Sequence, residues 1–233
     1  MITVEPYLDD FLSGDIDSKV ERLISDFNAI TNFQAQDFFK VKFGVNQNRS
    51  HYFDYISNSD WRDFLLSVYY ADLLSYTKKE DQVDFPRLLY IVNSFPEGFT
   101  VWWARMNNKA YPVGYTGWYY VEKNVFAHIA MMRHDKTIEI SNRFFLPAKE
   151  KTPYIYLFNY SIAPPLTHSA YSRALIKNYA EELSALQYDG LFCATVSDDG
   201  RRVAEQFNMR KIGAITAHEN AVPDSIYFYL KEH

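Results

Sequence analysis

The chain has 233 residues, 48% hydrophobic and 18% aromatic, which is apolar enough for a real core and too short for several large domains. A formal charge of -5 with an isoelectric point near 5.7 excludes the electrostatic footprint of a nucleic-acid-binding protein, and no basic run stands out. The one cysteine, Cys193, lies in the apolar run Leu191-Phe192-Cys193-Ala194-Thr195-Val196, which excludes an intrachain disulfide framework and reads as a small buried hydrophobe.

Met1-Ile2-Thr3-Val4-Glu5-Pro6 has neither the basic start nor the apolar stretch of a signal peptide, and no later segment approaches a membrane span. A cytoplasmic protein with no membrane partner is expected. Ser18 and Glu21 have capping-box spacing, and Val20, Leu23, Ile24, Phe27 and Ile30 continue as one helical stripe. Phe38 to Val45 alternates as a strand. A second helix is expected to start near Ser59, with Trp61, Phe64, Leu65, Val68 and Leu73 facing a core, and Pro86 suits the first turn of a third, Pro86 to Asn93.

From Phe99 the period becomes two. Phe99 to Arg105 and Val113 to Val121 read as strands joined across Asn107-Asn108. Glu122 to Asp135 suits a short helix and Thr137 to Ile140 a strand. Tyr154 to Ile162 is a near-continuous apolar and aromatic strand of the kind buried on both faces. A helix carrying Leu175, Ile176, Tyr179, Leu183 and Leu186 follows. Next come a strand from Leu191 to Val196, a helix from Arg201 to Phe207, and strands from Lys211 to Thr216 and from Ile226 to Lys231. The order is mixed α/β, with residues 1–98 a helix-rich N-terminal part packed on the same sheet and 99–233 the core.

The run from Ser161 to Ile176, Ser-Ile-Ala-Pro-Pro-Leu-Thr-His-Ser-Ala-Tyr-Ser-Arg-Ala-Leu-Ile, resembles the acyl-CoA signature of the GCN5-related N-acetyltransferase (GNAT) family. There a strand ends in valine, proline follows two residues later, and a loop Arg/Gln-x-x-Gly-x-Gly/Ala opens a helix. Without a gap, Ile162 takes the valine place, Pro164 the proline, Thr167 the Arg/Gln, and Ala170 and Ser172 the two small positions. Ser197 to Gly213 resembles the next strand-to-helix segment, and Tyr111-Pro112-Val113-Gly114-Tyr115-Thr116-Gly117-Trp118 the second hairpin strand, so the resemblance covers roughly Phe99 to Lys231. It departs from the pattern in lacking both loop glycines.

Independently of the name, a strand feeding small residues into a helix N-terminus leaves amides unpaired beside a positive dipole, which suits a pyrophosphate. The competing reading is an ordinary turn capped by Thr167 or Ser169. What the resemblance implies is a divergent GNAT member: a mostly antiparallel sheet flanked by helices and splayed at its central strand pair, with acetyl-CoA or another acyl-CoA as co-substrate. A small-molecule or peptide amine is the implied acceptor, no metal is needed, and oligomerisation is left open. The pantetheine arm falls to the main chain of Tyr160 and Ile162. The pyrophosphate falls to the loop Thr167, His168, Ser169, Ala170, Tyr171, Ser172 and Arg173, with Asp198 facing the coenzyme from the other side.

The family's usual acid, a tyrosine, aligns with Ala204, and its Gly-Phe pair with Asn208-Met209. Candidates to replace the missing groups are Tyr156, at the place of the usual strand carboxylate, Tyr160 beside the thioester, Tyr171 and His168 in the loop, and Glu139 on a neighbouring strand. An active N-acyltransferase and a catalytically silent acyl-CoA-binding or protein-interaction module both fit these residues.

Overall fold

The computed structural model describes residues 15–42, 60–76, 78–107, 109–131, 137–139, 145–216 and 223–231. In chain order the elements are α1 (Asp15–Asn28), β1 (Asp37–Lys42), α2 (Asp60–Ser75), α3 (Phe85–Ser94), β2 (Phe99–Met106), β3 (Lys109–Tyr120), α4 (Lys123–Ala130) and β4 (Thr137–Glu139). They continue with β5 (Tyr154–Ile162), α5 (Ala170–Ser184), β6 (Gly190–Thr195), α6 (Asp198–Gln206), β7 (Arg210–Thr216) and β8 (Asp224–Leu230). The strands hydrogen-bond in the order β1-β2-β3-β5-β6-β8-β7-β4. The architecture is the mixed, mostly antiparallel α/β sheet that the resemblance implied.

The element boundaries differ from expectation where caps decide them. Helix α1 starts at Asp15, so Ser18 lies within it. Helix α6 starts at Asp198 rather than Arg201, because the Ser197 side chain accepts the Gly200 N–H at 3.1 Å and caps it. Helix α5 ends at Ser184, leaving Leu186 beyond it. Residues 43–45, 132–135 and 140 of the expected elements lie outside the described residues.

The chain divides into two compact units, residues 1–116 with 161–175 and residues 117–160 with 176–233. In the first unit β1 and β2 pair antiparallel from Asp37↔Arg105 to Lys42↔Thr100. Phe27 of α1 packs edge-on to Tyr111 with ring centroids 5.6 Å apart, and Lys109 Nζ reaches Asp26 at 2.7 Å. Helix α2 is buried on nearly every side: Phe64, Leu65, Leu66, Val68, Tyr70, Ala71 and Leu74 are all core. Leu73, expected in the core, is half-buried, whereas its neighbour Asp72 is 0% exposed.

In the second unit β6 pairs antiparallel with β8, β8 antiparallel with β7, and β7 parallel with β4. Its core is aromatic. Phe126 stacks on Tyr154 at 4.2 Å and leans on Phe228 at 4.9 Å, while Tyr156 lies against Tyr119, Phe145 and Phe192. Gly190 has no room for a side chain, since a Cβ there would stand 2.0 Å from the Phe126 ring. Helix α5 is tied to β3 by the Tyr179 hydroxyl, which donates to Gly117 O at 2.8 Å, and by Trp118 Nε1, which donates to Glu182 at 2.9 Å.

Candidate functional site

Strand β5 positions the site. Its parallel pairing with β6 covers three residue pairs, Tyr154↔Gly190 to Tyr156↔Phe192, although β5 runs on to Ile162 and β6 to Thr195. The β5–β6 ladder therefore ends at Tyr156, six residues before β5 does.

On its other edge β5 meets β3 through Val121 N–H to Tyr154 O at 3.0 Å and Ala163 N–H to Val113 O at 2.7 Å. One unbroken antiparallel register through the first bond would place residue 162, not 163, opposite Val113. Strand β5 therefore carries one extra residue between these points, as a bulge does. Gly114 marks the close approach: a Cβ there would stand 2.5 Å from Ser161 O and 3.0 Å from Ile162 Cα. With the Ala163 N–H turned to β3, strand alternation sends the main-chain groups of Ile162 to the opposite edge.

After Ile162 the chain makes a 3-10 turn, Pro164–Leu166, and enters α5 at Ala170. The Thr167 hydroxyl donates to Pro164 O at 2.7 Å. His168 turns the backbone with a φ of 57°, a left-handed conformation that histidine adopts more readily than most side chains. Ser169 caps the helix, its Oγ accepting from the amides of Tyr171 at 3.1 Å and Ser172 at 3.4 Å, while its carbonyl accepts from Arg173 N at 3.3 Å. The amides of Ser169 and Ala170 make no hydrogen bond among the described residues, and Ala170 is exposed. An anion meeting this end of a 15-residue helix finds two free donors, a small side chain and a positive dipole. Ser172 Oγ turns back to Ser169 O at 3.0 Å, and Arg173 Nη1 to His168 O at 3.4 Å.

The remaining candidates are spread more widely. Tyr160 is half-buried, and burial, then the Asp199 carboxylate, push its hydroxyl up to about 12, so it holds its proton at neutral pH. Tyr156 is 5% exposed, inside the aromatic cluster with Tyr119, Phe145 and Phe192. Glu139 does not lie on a strand beside β5: β4 pairs with β7 at the edge, with β7, β8 and β6 in between. Four strand spacings of about 4.8 Å separate the two main chains by roughly 19 Å. The short β4 is parallel to β7, and its alternation alone gave no sign of which strand it would join. The Asp198 carboxylate pairs with Arg201 at 2.7 Å on the first turn of α6.

Ala204 is 3% exposed and its carbonyl closes the end of α6 by accepting from Met209 N at 3.1 Å. Cys193 is buried, its thiol pushed up to about 12 by burial and its Sγ 4.0 Å from Met209 Sδ, in keeping with a packing role. Among the described residues no three or more His, Cys, Asp or Glu side chains converge as a metal site, and no helix is long and apolar enough to cross a membrane.

Sequence reasoning missed three features. Asp72 accepts the Tyr115 hydroxyl at 2.7 Å and the Val83 N–H at 2.9 Å. The Tyr171 hydroxyl accepts the Ala35 N–H at 3.1 Å. Gly114 is needed against β5, and a glycine in the interior of the Tyr111-to-Trp118 strand was a legible signal of close backbone approach.

No family model matches the chain, and no curated protein matches it. Solved structures do. The loading GNATL domain of CurA from Lyngbya majuscula is similar with a TM-score of 0.53 and 12% identity, covering 83% of this chain and 96% of that one. A GphF GNAT-like decarboxylase in complex with isobutyryl-CoA gives a TM-score of 0.53 and 11% identity, over 72% of this chain and 95% of that one. A chain of the NatC complex bound to Gag peptide and CoA gives 0.52 and 8%, over 84% of this chain and 99% of that one. These likenesses establish the fold: the chain has the GNAT fold. The match covers 83% of the chain, a larger share than the stretch from Phe99 to Lys231 makes up.

Proposed function

We propose that this chain, built on the GNAT fold, is a divergent member of that family that transfers an acyl group, acetyl in the simplest case, from acyl-CoA to an amine. The observation that carries the reading is the end of β5: a strand that runs on past its ladder with its parallel partner, followed by a small-residue loop with free amides at a helix start. Two of the similar structures were solved with CoA or isobutyryl-CoA bound, which supports a coenzyme here.

The residues present fit such a group. Ser169 and Ala170 would offer their amides to the pyrophosphate, and the edge of β5 at Ile162 would pair with the amides of the pantetheine arm as an added strand does. The coenzyme supplies an activated thioester. The acceptor nitrogen bonds to the carbonyl carbon as the carbon–sulfur bond breaks, the amine loses one proton overall, and the departing thiolate gains one. The Ile162 N–H is suited to polarise the carbonyl oxygen. Tyr160, protonated at neutral pH, is suited to give the thiolate its proton. A small-molecule or peptide amine is the proposed acceptor, and the cytoplasm the proposed compartment.

One observation favours a second reading, a catalytically silent binding module: Ala204, where the family's acid aligns, is buried and has no hydroxyl to offer. Calorimetry with CoA, followed by thiol release from acetyl-CoA against a panel of amines, separates the two. Binding with steady turnover supports the transferase and binding without turnover supports the module. No heat of binding refutes the transferase and the acyl-CoA-binding module alike.

A further inference from the structure

The first turn of α5 is not held by its own loop alone. Tyr171, its second residue, sends its hydroxyl to the Ala35 N–H at 3.1 Å, a contact that spans 136 positions of sequence. Its ring lies 5.0 Å from Phe38, whose ring is stacked 4.9 Å from Trp102 at an interplanar angle of 22°. Ala35 lies just ahead of β1, and the Gln36 N–H donates to Arg105 O at 2.8 Å, so the segment is itself fastened to β2. The partner of Tyr171 is thus a main-chain group next to the sheet, which cannot swing away as a side chain can. Ala170 and Ser172, the two small positions of the loop, flank Tyr171 directly.

We propose that Tyr171 is a positioning residue for coenzyme binding: through Ala35 and Phe38, the segment entering β1 fixes the helix start that receives the pyrophosphate. The inference rests on reading this loop as the coenzyme site. It places part of the binding apparatus before residue 99, and it gives the Tyr171 hydroxyl an acceptor's role in holding the loop rather than a proton donor's role in the reaction.

Tyr171→Phe keeps the ring and removes the acceptor, and Ala35→Pro removes the donor without touching the loop. CoA affinity is read by calorimetry and the coenzyme-free fold by thermal melting. Tyr171→Phe is expected to weaken CoA binding roughly three- to tenfold, the worth of one hydrogen bond between neutral groups, with the coenzyme-free melting temperature nearly unmoved. The pair Tyr171→Phe with Ala35→Pro should be no weaker than the worse single variant, since both break one contact. Unchanged CoA affinity in Tyr171→Phe overturns the proposal, and that variant alone decides it if Ala35→Pro does not fold. Losses that multiply in the double variant also overturn it, by showing that the hydroxyl acts on the ligand directly. Failure of the parent chain to bind CoA is a different result: it removes the coenzyme reading, and this proposal with it.

Discussion

Replacing Asp72 by asparagine tests the least expected feature of the N-terminal helices. The carboxyl is 0% exposed on α2, and burial pushes its pKa up from 3.8 to about 6, with the hydrogen bonds from Tyr115 and Val83 only partly opposing the rise. The folded chain therefore holds this proton more tightly than the unfolded chain. The stability it contributes is full below pH 3.8 and is lost as pH rises through 6. A difference of this size corresponds to about 3 kcal/mol between the two ends of the window. Asparagine is neutral throughout; its oxygen can accept from Val83 and its amide can donate to the Tyr115 oxygen. Melting curves of parent and variant at half-unit steps from pH 4 to 8 isolate the effect, because every other carboxylate titrates in both proteins. Asp72→Asn should gain on the parent as pH rises, by roughly 6–12 °C in total for a chain of this size. Parallel profiles across pH 4 to 8 would refute the reasoning.

Gly114→Ala sets a Cβ against the main chain of Ser161 and Ile162, so the end of β5 must shift; melting temperature and CoA affinity should both fall, the latter at least tenfold, and a variant binding like the parent contradicts the close approach. Ala170→Asp puts a carboxylate at the free amides of the helix start, which should lower CoA affinity about tenfold or more while barely moving the coenzyme-free melting temperature; Ala170→Gly should bind as well as the parent, and calorimetry decides both. Tyr160→Phe should lower turnover about 10²–10⁴-fold at near-constant CoA affinity if its proton reaches the thiolate, and a smaller loss assigns that proton to solvent.

What the sequence made legible follows from whether the cause is local. Strand β5 was read with both of its ends correct, Tyr154 and Ile162, because a nearly unbroken aromatic and apolar run bounded by Pro153 and Pro164 has few other solutions. Helix α6 was read three residues late, since Asp198-Asp199-Gly200 resembles a turn until the Ser197 cap is seen to gather it into the helix. The Asp72 carboxylate was illegible for a different reason. Its partner Tyr115 is 43 positions away, and a helix buried on nearly every side has no polar face to betray which charged residue lies inside. The Tyr171 contact with Ala35 is equally non-local. Glu139 was placed beside β5 because alternation identifies a strand without naming its neighbour in the sheet.

On the coenzyme reading, this chain meets the tasks of such a loop without the two glycines of the family pattern. One task is a backbone turn at positive φ, which His168 performs at 57°. Another is room for an anion near the main chain, which at Ala170 requires only that the side chain be a methyl and that the amide be free. A close approach between strands β3 and β5 falls outside the loop altogether, at Gly114 against Ser161 and Ile162. On the coenzyme reading, a chain that meets these needs at three positions tolerates the loss of both glycines, but it gives up their adaptability: a non-glycine residue at positive φ holds its conformation only where its surroundings fix it. The Ser169 cap on one side of Ala170 and the Tyr171 contact with Ala35 on the other supply that fixing, and the N-terminal third is thereby joined to the same helix start as the signature loop.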